Sequence, residues 1–368
     1  MNNLNICYFT YQNFPAQTAN SYQSISNICS FVDNKHNVTL VFPLRDKNSS
    51  KDIKILQDFY NFEEVFNIIG LKHNLPFGKY TFFSKLFFYF SHFIWTLYAI
   101  KKIDINNFDF YFTRSDWAYY FLSRKNKNVI FEIHQVSKTR KLVLWLCRKK
   151  KNSKVIYLNE NLQRDLNQFT KSNKSMVLHN GVKIQNFKHL IKKKEIVFVG
   201  SLSRFGYSRN INFLIDGFIN SSLNSDYIFK IIGGPNEVAE SLKIQYQDFE
   251  NIHILGYKNP NEVVSLLKTA EIGVLINSPN HKHSTTYTSP LKYFEYLAYG
   301  LKILAIDFES HKVLPFSEDI NFFESDNKKS LINAIEAAKI KKVKVKDLAL
   351  ISLDHRVKKI IELNYYNV

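Results

Sequence analysis

Cysteine is scarce in this chain: Cys7, Cys29 and Cys147 are the only three among 368 residues. They share no metal-type spacing and leave one unmatched in any pairing, which argues against a disulfide framework and fits a reducing cytoplasm. Several catalytic signatures are missing too. Neither Gly-x-Gly-x-x-Gly nor Gly-Lys-Ser/Thr occurs, so nothing points to a dinucleotide or to ATP hydrolysis. No Gly-x-Ser-x-Gly elbow supports a nucleophilic serine, and no cysteine sits in such a turn. Asp-x-Asp is absent, so a metal-bridged diphosphate is not expected, and neither a metal nor a cofactor is called for. Nucleic-acid motifs of defined spacing and repeats of solenoid length are absent as well. No basic-then-apolar leader opens the chain; residues 1–9 read as a first strand.

Acidic residues are outnumbered, 32 Asp and Glu against 50 Lys and Arg, for a net charge of +18. The excess is uneven: residues 1–183 carry +14 and residues 184–368 carry +4. The first half therefore calls for a polyanion, whether acidic lipid, nucleic acid or a phosphorylated substrate. Asn/Lys-rich composition accounts for part of this charge and weakens it as evidence. Hydrophobic content of 45% with 15% aromatics is globular, and the length exceeds one core, so two domains are expected.

Short β-branched and aromatic runs alternate with helical patterns. Strands are expected at 4–10, 37–42, 65–69, 108–113, 129–133, 154–158 and 176–179. A second series follows at 196–200, 227–233, 252–255, 272–276 and 303–306. Near-continuous apolar strands separated by helices mean α/β domains with parallel sheets buried on both faces. The spacing predicts a first domain over 1–183 and a second over 184–345. A last helical pattern at 347–363 either caps the second domain or crosses back to the first. The basic stretch 181–194 is the expected boundary and hinge.

Two stretches bear on membranes. Residues 80–100 are long enough to span a bilayer, but Lys85, Ser91 and His92 interrupt them. A buried core helix, or a core helix with one lipid-touching face, fits better. Residues 138–151 form a basic helix with an apolar band and Trp145, which suits either an anionic lipid surface or packing with solvated basic ends.

The densest chemistry lies at residues 288–300. Ser289 is expected as N-cap and Pro290 as the first helical residue, leaving the amides of Leu291 and Lys292 free at a positive helix end. Lys292 adds a full charge, and Glu295 shares its face. A phosphate at the helix end and a sugar hydroxyl on the carboxylate would describe a nucleotide-sugar; a plain capped helix with an exposed Glu–Lys pair is the other reading. In residues 200–210 a strand-to-helix turn carries Arg204 and Arg209, whose guanidinium forks suit a diphosphate; a bare loop with solvated arginines is the other reading. His134 ends a buried strand, where open α/β sheets bind ligands; a lone histidine there is more often structural, yet it is the best first-domain candidate for meeting a reacting sugar. His281 and His283 lack a third metal ligand.

Residues 196–218, 227–234, 251–256 and 270–307 resemble the donor domain of retaining glycosyltransferases of family 4, with the GT-B fold. More weakly, residues 14–21, Glu132-x-His134, 158–165 and 179–182 resemble the first domain of bacterial surface-polysaccharide members. The resemblance implies two doubly wound Rossmann-like domains facing a central cleft. It implies that Glu295 holds the donor ribose and that the Leu291 and Lys292 amides hold the diphosphate. Arg209 falls at the family's phosphate lysine with Arg204 as competitor, and His134 at a histidine near the donor sugar. Three departures stand out: Ser201 replaces an arginine, Tyr287 replaces the first acid found in many members, and the opening loop lacks Gly-Gly.

The expected function is metal-independent transfer of a hexose-type unit, with retention, from a nucleoside-diphosphate sugar to a lipid-linked or cell-surface glycan. The expected location is the cytoplasm, peripheral at the inner membrane face, with no nucleic-acid partner. A catalytically inactive partner subunit, to which Tyr287 points, and a sugar-nucleotide epimerase of the same fold are the alternatives.

Overall fold

The computed structural model describes residues 3–76, 84–170, 175–184, 191–204, 207–343 and 347–365. Two compact units emerge: Met1–Leu178 with Leu353–Val368, and His179–Ser352.

The first unit contains β1 (Asn5–Phe9), α1 (Ala19–Asp33), β2 (Asn37–Leu44), α2 (Ile53–Tyr60), β3 (Asn67–Lys72) and α3 (Ser84–Lys102). It continues through β4 (Phe110–Thr113), α4 (Asp116–Arg124), β5 (Val129–Ile133), α5 (Lys138–Cys147), β6 (Ser153–Tyr157), α6 (Glu160–Leu166) and β7 (Ser175–Val177). The seven strands form one sheet in the order β3-β2-β1-β4-β5-β6-β7, and its pairings are parallel. Alternation decides the layers. Ile6 and Tyr8, Val38, Leu40 and Phe42, and Phe110 and Phe112 point into one core with Ile25, Ile28 and Phe31 of α1. Cys7, Phe9, Val41 and Tyr111 are buried on the other face, as a parallel sheet covered on both sides requires. Each fully buried Phe, Leu or Ile contributes roughly 1.5–3 kcal/mol of transfer free energy.

The second unit contains β8 (Glu195–Val199), β9 (Ser203–Arg204), β10 (Tyr207–Ser208), α7 (Ile211–Ile219), β11 (Ile228–Ile232), α8 (Asn236–Gln245), β12 (Ile252–Gly256) and α9 (Pro260–Thr269). Then come β13 (Ile272–Leu275), α10 (Leu291–Ala298), β14 (Lys302–Ile306), α11 (Glu309–Lys312), β15 (Asn321–Phe323) and α12 (Lys328–Ile340). Its six-stranded sheet runs β12-β11-β8-β13-β14-β15, with parallel pairings, and β9 pairs antiparallel with β10.

In each sheet the strand order reverses direction beside the first strand, between β1 and β4 and between β8 and β13. Connections leave such a point on opposite sides, which opens a crevice at the carboxyl ends of the strands. The segments after β1, β4 and β5, and after β8 and β13, are therefore where ligand-binding groups collect.

Some expectations need correcting. The edge strand β15 and the β9–β10 ribbon were not foreseen, since runs of two or three residues carry too little periodicity. The last helix, α13 (Leu353–Tyr365), starts later than 347: Asp347 caps a 3-10 turn at Leu348–Ile351, and Ser352 is extended. Residues 179–183, read with the first domain from sequence, lie in the second unit, and α13 lies in the first. Residues 185–190 of the expected hinge lie outside the described residues. So do residues 80–83 of the apolar stretch.

Candidate functional site

In the second unit the loops after β8 and β11 are laced together. Gly200 N donates to Ile232 O (2.9 Å), and Leu202 N to Gly234 O (2.7 Å). Gly233 has φ of +149°, and a Cβ there would fall 1.7 Å from Gly200 O, so no other residue permits this approach. Arg209 lies over the same bare backbone: a Cβ on Gly200 would meet its Nη1 at 2.9 Å. Arg204 contributes its backbone to β9, but its side chain lies outside the described residues.

The Tyr296 hydroxyl of α10 accepts a hydrogen bond from Val199 N (3.1 Å), tying that helix to the tip of β8. Gly273 makes room for the ring, since a Cβ there would stand 2.4 Å from Tyr296 Cδ2. Burial pushes the Tyr296 phenol well above its usual range, while the nearby Arg209 charge pulls the other way. Helix α10 is thus tied to the tip of β8 at Val199, and Arg209 lies over the next residue, Gly200.

The helix begins one residue later than its sequence suggests. Pro290 is the cap, extended at φ −73° and ψ 125°, and Leu291 is the first helical residue. Ser289 does not cap. Its Oγ accepts from Asn180 N (3.2 Å), and its carbonyl accepts from Asn180 Nδ2 (2.5 Å). A tertiary donor has claimed the hydroxyl that local geometry would have turned to the helix. Leu291 and Lys292 still precede the first helical hydrogen bond, so their amides keep the helix-end character expected of them. Lys292 Nζ pairs with Glu295 Oε2 at 2.6 Å, with about a third of each side chain exposed (31% and 28%).

A single π-helical turn, His283–Tyr287, precedes this end, and Thr288 Oγ1 donates to His283 O (2.8 Å). Tyr287 is buried, with the Lys282 ammonium 5.5 Å from its ring centroid. The His281 and His283 ring centroids lie 6.3 Å apart. Among the described residues, no group of three or more His, Cys, Asp or Glu could hold a metal ion.

In the first unit His134 follows β5 directly. Its Nε2 lies 2.6 Å from Glu132 Oε1, and its side chain is 23% exposed. Arg114 Nη2, just past β4, reaches the same oxygen at 2.8 Å, and Arg356 of α13 meets Oε2. Burial pushes the Glu132 carboxyl up, but Arg356, Arg114 and His134 outweigh it and hold the group far below the carboxylate range. Burial and then Arg114 lower His134 to about 4.

Arg114, Glu132, Arg356, Asn180 and Tyr296 were not read from sequence as site residues. Two of them had a signal. Glu132 is the single acid in an otherwise apolar strand, and Arg356 falls on the apolar stripe of α13 with Leu353, Val357, Ile360 and Ile361. A charge on a buried face needs a partner.

Residues 193–338 match the family model described as glycosyl transferases group 1. No curated protein matches the chain. Among solved structures, a glycosyltransferase from Rickettsia africae ESF-5 is similar at TM-score 0.67 and 13% identity, covering 99% of this chain and 98% of that one. The apo form of the lipopolysaccharide outer core galactosyltransferase WaaB is similar at TM-score 0.65 and 12% identity, over 99% and 100% of the two chains. TarM is similar at TM-score 0.61 and 12% identity, over 99% and 96%. At these identities the likeness speaks to architecture: the chain has the GT-B fold, and its second unit carries the glycosyl transferases group 1 match.

Proposed function

We propose that this protein is a retaining glycosyltransferase of family 4, surface-polysaccharide type. It would move a hexose-type unit from a nucleoside-diphosphate sugar to a lipid-linked or cell-surface glycan. The observation that carries the reading is that Arg209 lies over Gly200, next to the Val199 amide that ties helix α10 to β8, all within the stretch that matches the glycosyl transferase model.

In this reading the acceptor hydroxyl attacks the anomeric carbon on the face from which the diphosphate departs. The bond from that carbon to the diphosphate oxygen breaks as the bond to the acceptor oxygen forms. The hydroxyl proton passes to the departing diphosphate, so no catalytic carboxylate pair is required. Arg209, the side chain of Lys292 and the amides of Leu291 and Lys292 stabilise the charge that builds on the leaving group, without a metal ion. Glu295 takes the ribose hydroxyls, which releases Lys292 from its pair. Arg204 remains the proposed second phosphate contact, and His134 serves a hydroxyl of the reacting sugar.

The partner surface is anionic lipid at the cytoplasmic face of the membrane. Helix α5 exposes Leu142, Trp145 and Leu146, at i, i+3 and i+4. The Arg148 guanidinium covers the Trp145 ring at 4.6 Å, and Lys149 and Lys151 are exposed beyond it. Helix α3 exposes Leu86, Tyr89 and Phe90 at the same spacing, and α4 packs against both helices. Basic residues beside an apolar stripe are the composition of an interfacial helix. Among the described residues, no helix is long and apolar enough to cross a membrane.

A panel of nucleoside-diphosphate sugars tests the reading by thermal stabilisation. At about 100 times its dissociation constant, a true donor adds about 2.7 kcal/mol. A protein stabilised by no member of the panel would instead be a non-catalytic partner, the reading to which buried Tyr287 points.

A further inference from the structure

Glu132 is 1% exposed, and basic side chains meet it from three elements or their flanks. Arg114 comes from the end of β4, His134 from the end of β5, and Arg356 from α13, 224 residues along the chain. Arg114 also reaches out of the cluster: its Nη1 donates to Asn20 Oδ1 (2.5 Å) and Asn20 O (3.3 Å) at the start of α1. Arg356 Nη1 donates to Leu178 O (2.8 Å) just after β7. The carboxylate is therefore held from three sides, and both of its arginines are anchored in turn, one at the start of α1 and one just after β7.

This geometry fixes the chemistry of the imidazole. An ionised carboxylate only accepts hydrogen bonds, so the Nε2 that meets Oε1 carries a proton. A second proton on the ring would put a third positive charge beside one negative charge, against Arg114 and Arg140 as well as against burial. The ring is then neutral, with its lone pair on Nδ1. Among the described residues, the Glu132 contact is the hydrogen bond that the imidazole makes.

We propose that Arg114 and Arg356 are positioning residues which, through Glu132, hold His134 as the neutral Nε2–H tautomer and leave Nδ1 to accept a hydrogen bond from a hydroxyl of the reacting sugar. His134 is then neither an acid nor a cation that stabilises the leaving diphosphate. The sugar in this statement rests on the proposed function; the tautomer and its supports stand on the cluster alone.

Histidine labelled with ¹⁵N in the full-length protein separates the two. Long-range proton–nitrogen spectra report the tautomer of each ring, and His134→Gln identifies the signals of His134 by their loss. The expected result at neutral pH is a neutral ring protonated on Nε2. Arg114→Gln and Arg356→Met should each raise its titration midpoint by about one unit or mix the two tautomers. A cationic ring or an Nδ1–H tautomer in the unmodified protein overturns the proposal. So does an unmoved His134 signal in both variants when both fold. Should one variant fail to fold, the unmodified protein and the other variant still decide. Turnover of a nucleoside-diphosphate sugar by the folded variants is expected to drop about tenfold or more, with the pH profile shifted toward that of the new midpoint. Expected spectra in a protein that binds and turns over no nucleotide-sugar would remove the sugar from the proposal and leave the tautomer in place.

Discussion

Arg209 and Glu295 probe the donor reading from opposite ends of the ligand. In that reading Arg209 meets charge that grows in the transition state, whereas Glu295 holds a ribose that does not react. The Lys292–Glu295 pair is an i,i+3 contact on a partly exposed face, worth only about 0.2–0.5 kcal/mol, so breaking it leaves the fold intact. Arg209→Ala should lower turnover by about 10²-fold or more, since it removes one preorganised cation from the leaving group. Glu295→Gln should collapse turnover as well, while its melting temperature stays close to that of the unmodified protein. Near-normal transfer by both variants would falsify the donor-site assignment.

At the scale of elements, α10 is held at three points. Asn180 grips Ser289 ahead of its first turn, Tyr296 binds Val199 in its middle, and Lys192 Nζ donates to Tyr299 O (2.7 Å) at its end. An ammonium on the last carbonyls complements the helix dipole, and burial lowers this lysine to about 8. A helix held in this way can present its amino end at a fixed distance from the tip of β8, which electrostatic preorganisation requires. For helix α5 the proposed use of the outer face is docking on anionic lipid. Each basic residue near an anionic surface is worth about 1 kcal/mol, so Lys149→Glu with Lys151→Glu should weaken binding to phosphatidylglycerol vesicles at least about tenfold. Binding by the unmodified protein should fall as salt rises. Co-sedimentation that ignores both salt and charge reversal would remove α5 as the docking element.

The whole molecule carries a pH dependence set by buried histidines. Burial lowers His73 to about 4, His92 to about 3, His134 to about 4 and His311 to about 4. Each has found a neutral role: the Tyr11 hydroxyl is 2.7 Å from His73 Nε2, Ser115 Oγ is 2.6 Å from His92 Nε2, and Ile306 O is 2.8 Å from His311 Nδ1. The unfolded chain takes up these protons near pH 6.5, whereas the folded chain resists them until about pH 4. Stability must therefore fall as pH drops through that window, on the order of 1 kcal/mol per histidine per pH unit. Glu132, held low in the folded state, adds a further loss below the ordinary carboxylate pKa. Urea midpoints measured at neutral pH and near pH 5 should show the fall; equal midpoints would contradict the buried, neutral assignment.

What the sequence determined by itself was the part of the protein governed by local pattern. Apolar strands alternating with helices specify two parallel sheets, because such strands must be covered on both faces. The Pro290–Glu295 stretch marked the helix end and its carboxylate, because capping and i,i+3 geometry are local properties. Tertiary structure decided the rest. Ser289 lost its capping role to Asn180, 109 residues away, and Arg356 reached Glu132 across 224 residues. Buried polar groups take whichever partners the packed fold brings within reach, and those partners have no spacing along the chain that a pattern could record.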